Sequence, residues 1–188
     1  QLEGMVEFIG LLKVTLKKGT NLAVRDMMTS DPYVKLTLGQ QVKKTNSNSW
    51  RVNGYFIADL FYQTVQSTVK KSNLNPVWNE ELMLSVPHDY GSVKLQVFDY
   101  DTFSADDIMG EAGIDIQPLI TSAMAFGDPE MFGDMQIGKW LKSHDNALIE
   151  DSIINISDGK VKQEVHIKLQ NVESGELELE VEWLSLES

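Results

Sequence analysis

Two groups of aspartates are the side chains in this sequence best suited to bind a ligand. One group lies in Asp26–Asp31 and the other in Asp99–Asp107. Alternate residues of an extended segment point the same way, so Asp99 and Asp101 are expected to share a face. Carboxylates that are gathered closely repel one another and raise one another's pKa. A hard divalent cation removes that cost, and calcium accepts about six to eight oxygens in flexible geometry. The two groups together therefore predict a calcium site assembled from two loops.

Other interpretations of these aspartates compete with a calcium site. Any single one could simply form a turn, as Asp31-Pro32 does after a polar run. An EF-hand loop starting at Asp99 is disfavoured, because Ser104 would occupy its glycine position and Gly110 its last ligand position. Hydrolysis by paired carboxylates is possible in principle. However, no neighbouring residues mark a substrate pocket, and aspartates this crowded are poorly placed to take separate acid and base roles. We therefore favour a cation site.

The composition narrows the classes of function. The chain of 188 residues has no cysteine, which excludes disulfides, thiol nucleophiles and cysteine-ligated zinc, and favours a reducing compartment. Its formal net charge of −12 disfavours nucleic-acid binding, and opposes contact with an anionic membrane unless the charge is locally inverted. No apolar stretch is long enough to span a bilayer. No glycine-rich phosphate loop or nucleophile elbow is present, so we expect a protein that is not an enzyme.

The elements that must position the aspartates are short strands. Apolar and polar residues alternate along Leu12–Leu16, Val93–Val97, Val165–Leu169 and Leu177–Trp183. This pattern is typical of strands with one face buried and one face in water, and it predicts an all-β antiparallel sandwich. Further predicted elements are strands at Tyr33–Leu38, Glu81–Val86 and Gly110–Ile116, one short helix at about Pro118–Phe126, a loop at Gly127–Gly138 and a hairpin turn at Asp158-Gly159.

With these strands and aspartates in place, the chain resembles a C2 domain. The strings that carry the resemblance are Ser30–Tyr33, Asn75–Glu80 and Asp99–Gly110, which read S-D-P-Y, N-P-x-W-N-E and D-x-D…D-D-x-x-G. The resemblance implies an eight-stranded antiparallel β-sandwich and calcium as the cofactor. It also implies five calcium ligands, which are Asp26, Asp31, Asp99, Asp101 and Asp107. In this comparison Asp106 is a neighbour of the site and not a ligand.

Two plant groups of C2 proteins are the more specific resemblance. Phe8–Leu12 and Val161–Glu176 are similar to the small C2-domain abscisic-acid-related proteins and to the C-terminal C2 domain of plant Arf GTPase-activating proteins. Met83–Glu182 is nearer to the Arf-regulator version. The resemblance implies a small GTPase or a hormone receptor as partner. A non-catalytic adaptor, with lipid binding secondary, is therefore the alternative to a calcium-dependent lipid binder.

Membrane docking is the function that the C2 resemblance implies first. We expect a monomer that binds anionic phospholipid at the plasma membrane or endomembranes from the cytoplasm, with the nucleus as a further compartment. Met27, Met28 and Phe103 are predicted to insert into the headgroup layer, and ordinary loop packing is their alternative. Three lysines are predicted to contact phosphoinositide headgroups, namely Lys35, Lys70 and Lys71. The alternative is that they are ordinary solvated surface residues.

One segment interrupts the C2 pattern. Removing Val42–Gln63 restores the family spacing, so this block of 22 residues is predicted to be an insertion between two strands, away from the calcium loops. It could be an added hairpin or helix, a splice variant or an error in the gene model. We favour an insertion without function over a partner-binding element. Residues 1–188 are expected to form a single domain, with residues 1–5 as an N-terminal extension.

Overall fold

Two antiparallel sheets face each other in the computed structural model, which describes residues 6–41, 43–44, 50–52, 55–56 and 61–186. The strands are β1 Phe8–Thr20, β2 Pro32–Gly39, β3 Lys43–Lys44, β4 Trp50–Val52, β5 Tyr55–Phe56, β6 Tyr62–Gln66, β7 Val77–Pro87, β8 Val93–Asp99, β9 Asp107–Ile114, β10 Met135–Trp140, β11 Ser152–Ser157, β12 Lys160–Lys168 and β13 Glu176–Ser185. The helix α1 spans Gln117–Phe126, and a 3₁₀ turn spans Pro129–Met131.

The sheets have unequal widths. One has six strands in the order β10-β11-β12-β13-β1-β7, and the other has four in the order β6-β2-β8-β9. The predicted sandwich and its one helix are confirmed. The two sheets hold ten described strands instead of eight, because β10 and β11 extend the edge of the larger sheet. The loop predicted at Gly127–Gly138 is therefore wrong at its end, where β10 pairs with β11 through an irregular register at Gln136 and Gly138. The irregular register weakens the alternation that would otherwise mark a strand.

The core lies between the sheets and follows the period of two that the sequence shows. Apolar side chains at alternate positions are buried, among them Leu12, Val14 and Leu16 of β1 and Leu177, Leu179 and Val181 of β13. The predicted turn at Asp158-Gly159 is confirmed, and both residues have positive φ, 50° and 70°. Positive φ at both central positions is what a two-residue hairpin with a type I′ turn requires.

The two ends of the sandwich can be told apart by β12. Its first residue, Lys160, follows the Asp158-Gly159 turn, and Gly159 lies against Glu130. Its far end continues to Leu169 and Val172, which pack on Gly110 near the start of β9. Gly110 has φ of +118°, and an added Cβ would lie 2.7 Å from Val172. This close approach explains why the D-D-x-x-G string ends in glycine.

The predicted insertion Val42–Gln63 is described only in part. Residues 42, 45–49, 53–54 and 57–60 lie outside the described residues, and β3, β4 and β5 form a small sheet of their own. Tyr62 and Gln63 belong to β6 and pair with Gly39 and Leu38 of β2. The Gln63 side chain also bonds to the backbone of Ser85 on β7, accepting from its N–H at 2.8 Å and donating to its carbonyl oxygen. The last two residues of the predicted insertion are thus built into the sandwich.

A pair of deletions tests this boundary. Removing residues 42–60 retains the Gln63–Ser85 bonds, so we expect a monomer in size-exclusion chromatography with nearly unchanged stability. Removing Val42–Gln63 also removes those bonds, and should cost a further ~1 kcal/mol in urea unfolding. Equal stability of the two deletions would contradict the role of Gln63. Loss of partner binding in both would contradict an insertion without function.

The outer face of the six-stranded sheet carries cross-strand ion pairs. Lys13 of β1 lies 2.8 Å from Glu182 of β13, whose side chain is only 4% exposed. The hydrogen bond to Glu182 raises the pKa of Lys13. Lys18 and Glu178 form a similar pair at 3.3 Å, but both are about half exposed to water. Burial of Glu182 makes the first pair the more consequential of the two.

We predict unequal costs for removing these two lysines. Lys13→Met leaves the Glu182 carboxylate nearly buried without its partner, and should lower the free energy of unfolding by about 2 kcal/mol. Lys18→Met, the matched control, should change it by less than ~0.5 kcal/mol. Urea denaturation of both variants in EGTA measures the difference. Equal losses would show that burial of Glu182 does not govern the pair.

Candidate metal centre

Sheet pairing brings three of the predicted ligands to one end of the sandwich. Asp31 directly precedes β2, Asp99 ends β8 and Asp107 begins β9. In the register, Asp99 lies opposite both Pro32 and Asp107. The backbone N–H of Asp31 donates to Asp99 Oδ1 at 2.6 Å. We call this end, with the adjoining Asp26 and Asp101, the aspartate rim.

Asp99 is the buried centre of the rim. The residue is 0% exposed, and its Oδ2 atom has no hydrogen-bond partner among the described residues. Burial raises the pKa of Asp99, and the charges of Asp26 and Asp101 raise it further. The N–H of Asp31 and the hydroxyl of Ser30 act in the opposite direction. A buried carboxylate with an unpaired oxygen and acidic neighbours is costly, and a cation would relieve that cost. The rim therefore fits a hard divalent cation.

Hydrogen bonds donated by backbone N–H groups order the first loop around the rim. The N–H of Asp26 donates to the carbonyl oxygen of Thr29 at 3.1 Å, which closes a tight turn. The hydroxyl of Ser30, fully buried, accepts from the N–H of Arg25 at 2.8 Å. Asp31 Oδ1 accepts from the N–H of Ser72 at 2.7 Å. These bonds hold Asp31 in place and leave Asp26 exposed at the loop surface.

Asp106 orders the second loop. Its Oδ1 accepts from the N–H of Asp101 at 2.9 Å, and its Oδ2 accepts from the hydroxyl of Tyr33. The bond from Asp101 is the main reason that the pKa of Asp106 lies below its ordinary value. Both carboxylate oxygens of Asp106 are thus engaged within the loop. The role of Asp106 as a neighbour of the site, and not a ligand, stays a prediction.

The rim carboxylates do not form a closed ligand set. Within the part of the chain that the structure describes, no three His, Asp or Glu side chains are arranged so that they could hold a metal ion. Asp26 and Asp107 are exposed, and exposed side chains change rotamer at small cost. The five-residue ligand set stays a prediction, and it requires these side chains to turn toward Asp99.

Apolar side chains project from both loops of the rim. Met27 is 101% exposed, Met28 is 88% exposed and Phe103 is 101% exposed. Such exposure rules out the alternative in which these residues pack within their own loops. Large apolar side chains that are fully exposed on the same part of a surface are typical of a binding surface. Their role in lipid binding stays a prediction.

The predicted basic residues lie beside the rim. Lys35, on β2, places its ammonium group 4.8 Å from the ring centre of Phe98 and 5.6 Å from that of Tyr33. The N–H of Lys70 donates to the carbonyl oxygen of Pro32 at 2.9 Å, and its Nζ lies 3.6 Å from Glu80. Lys71 is exposed. Glu80 offsets part of the charge at Lys70, so Lys35 and Lys71 are the stronger candidates for an anionic headgroup.

Several features of the rim escaped sequence reasoning. The burial of Asp99 had a signal, because it continues the buried phase of Val93, Leu95 and Val97 along β8. The backbone N–H of Ser72, which donates to Asp31, had no signal in the sequence, because every residue except proline carries such a donor. Arg25 also lacked a signal, because its partner Glu173 is distant in the sequence and adjacent only in the fold.

Comparisons with known proteins agree with the predicted family and fold. The C2 domain family model matches residues 10–62 and 51–128. ADP-ribosylation factor GTPase-activating protein AGD12 of Arabidopsis thaliana is 81% identical over 187 residues, which is 100% of this chain and 49% of that protein. Protein C2-DOMAIN ABA-RELATED 6 of Arabidopsis thaliana is 38% identical over 180 residues, or 96% of this chain and 90% of that protein. The chain spans about half the length of the Arf regulator, and it is more similar to that protein than to the abscisic-acid-related one, as predicted.

Solved structures with the same fold are distant in sequence. A single C2 domain of plant Extended Synaptotagmin 1 has a TM-score of 0.56 and 18% identity, covering 97% of this chain and 99% of that one. A calcium-bound pair of C2 domains from Extended-Synaptotagmin 2 has a TM-score of 0.55 and 20% sequence identity, covering 96% of this chain and 48% of that one. Among the described residues, α1 is the longest helix and is too short to cross a bilayer.

The raised pKa of Asp99 makes a prediction about stability and pH. A carboxyl group whose pKa is higher in the folded state binds its proton more readily there. The stability gained from that proton is complete below the unfolded pKa, and is lost as the pH rises through the folded pKa. In EGTA, Asp99→Asn should therefore be more stable than the wild type at pH 7, with a gap that narrows on acidification. Thermal unfolding across pH measures this gap. A variant that is less stable at pH 7 would contradict the account of Asp99.

Proposed function

The chain belongs to the C2 domain family, and from that premise we propose that it binds anionic phospholipid membranes in a calcium-dependent manner through the aspartate rim. The observation that carries the proposal is the buried Asp99 Oδ2, unpaired among the described residues and set among acidic side chains. Beside it stand apolar side chains fully exposed to water. Asp26, Asp31, Asp99, Asp101 and Asp107 would hold the ion. Calcium supplies positive charge there and coordination positions for lipid phosphate oxygens.

The residues of the rim account for both states of the proposed switch. Without a cation, the rim carboxylates form part of the net charge of −12, and an anionic leaflet repels them. Once their charge is neutralised, Met27, Met28 and Phe103 enter the headgroup layer, where compliant and aromatic side chains bind well. Lys35 and Lys71 then contact headgroup phosphates at the side of the rim. We propose that the protein acts as a monomer at the cytoplasmic face of the plasma membrane or endomembranes.

A second candidate function is adaptor activity. The name of the 81% identical relative refers to Arf GTPase activation, and that of the 38% identical one to abscisic acid. In this version the chain, itself without catalytic activity, brings a small GTPase or a hormone receptor to the membrane. Pulldown of an Arf protein and of an abscisic-acid receptor, each with calcium and with EGTA, distinguishes the two functions. Binding that does not need calcium or lipid favours the adaptor.

We predict that Asp99→Asn/Asp101→Asn abolishes calcium-dependent sedimentation with phosphatidylserine vesicles and leaves the folded state intact. The amide introduced at position 99 would retain an oxygen for the N–H of Asp31, so circular dichroism should be unchanged. The matched control, Asp128→Asn/Glu130→Gln, removes the same charge near the start of β12, at the other end of the sandwich. The control should sediment like the wild type. Calcium-dependent binding that persists in the rim variant would exclude the proposed switch.

A further inference from the structure

Arg25 is a cation that the chain itself holds beside the aspartate rim. Its Nη1 and Nη2 atoms donate to the two carboxylate oxygens of Glu173 at 2.7 and 3.1 Å. Its Nε donates to the carbonyl oxygen of Ile108 at 3.0 Å, and Nη1 also donates to that of Val24 at 3.1 Å. The side chain is about one-quarter exposed. Arg25 therefore joins the first loop to β9 and to the connection between β12 and β13.

The position of this guanidinium relates it to the rim. Arg25 directly precedes Asp26, and Ile108 directly follows Asp107, which lies opposite Asp99 in the sheet. The charges of Asp107 and Asp99 help to raise the pKa of Arg25, after the larger effect of Glu173. Arg25 in turn lowers the pKa of Glu173 to about 2. The pair thus stays charged across the physiological range, and the bond to the Ile108 carbonyl holds the guanidinium next to Asp107.

We propose that Arg25 is a tethered counter-cation of the aspartate rim, which stabilises its crowded carboxylates without metal and limits their affinity for calcium. The second half of this inference rests on the proposed function, whereas the first half does not. A fixed positive charge attracts carboxylates and repels a divalent ion at the same place. The bidentate bond to Glu173 keeps the guanidinium from turning away into solvent, because a planar fork is held in one orientation.

The calcium-independent half is tested by thermal unfolding of the whole chain in EGTA. Arg25→Met should lower the melting temperature by about 2–4 °C, since the rim loses its counter-charge. In an Asp99→Asn background the same change should cost less, because one of the carboxylates it balances is gone. An equal loss of melting temperature in both backgrounds would show that Arg25 forms only an ordinary surface ion pair with Glu173, and would overturn the inference. Lys18→Met is the control, and its cost should not depend on Asp99.

The calcium-dependent half is tested by calorimetric titration with calcium chloride. Arg25→Met should bind calcium on the order of ten-fold more tightly than the wild type, because a nearby positive charge is removed. Arg25→Lys keeps the charge and loses the fork, so its affinity should stay within about two-fold. Glu173→Gln leaves the Arg25 charge unbalanced and should weaken binding. Weaker binding by Arg25→Met would overturn the inference and make Arg25 a positioning residue only.

The two titration failures are distinguishable. If the wild type binds no calcium, the proposed function fails, while the unfolding experiment in EGTA still decides whether Arg25 balances the rim. If the wild type binds calcium and Arg25→Met binds it no more tightly, the proposed function stands and the limit on affinity is wrong.

Discussion

Repulsion among carboxylates at the end of a hydrophobic sandwich is the constraint on which the rest of this structure depends. Asp99 occupies a buried position because β8 alternates toward the core, and the chain ends that strand with a charge instead of an apolar side chain. The cost is reduced by one backbone N–H from Asp31 and increased by Asp26 and Asp101. Costly ionisable groups of this kind are concentrated at functional sites, where a ligand compensates for them. A bound cation is the compensation that fits this donor set.

The rest of the molecule makes that cost tolerable. Strands from both sheets bury alternate apolar residues in one core, so the rim is assembled on a rigid framework and not on flexible loops alone. Two hydrogen bonds hold the loops. The carboxylate of Asp106 accepts from the backbone N–H of Asp101, and the backbone N–H of Ser72 donates to the carboxylate of Asp31. Arg25 supplies a positive charge from the protein itself. Neighbouring apolar tips remain exposed to water at the same end of the molecule.

The sequence predicts much of the framework, because alternation directly reports which face of a strand is buried. It places the helix within one residue of its observed start at Gln117, and it identifies the aspartates that the sheet register brings together. It does not predict β10, whose register with β11 is irregular around Gly138. Nor does it predict the Arg25–Glu173 pair or the bond between Tyr33 and Asp106, which depend on how distant segments meet. Local sequence pattern determines the strands, whereas tertiary contacts determine which groups compensate the charges of the rim.

Calorimetric titration of the whole chain with calcium, followed by assignment of the responding residues by NMR, tests the central claim most directly. The account predicts saturable binding, with the largest shifts at Asp31, Asp99 and Asp107 and little change near the Asp158-Gly159 turn. Absence of saturable binding at millimolar calcium, or shifts that avoid the rim, would contradict it.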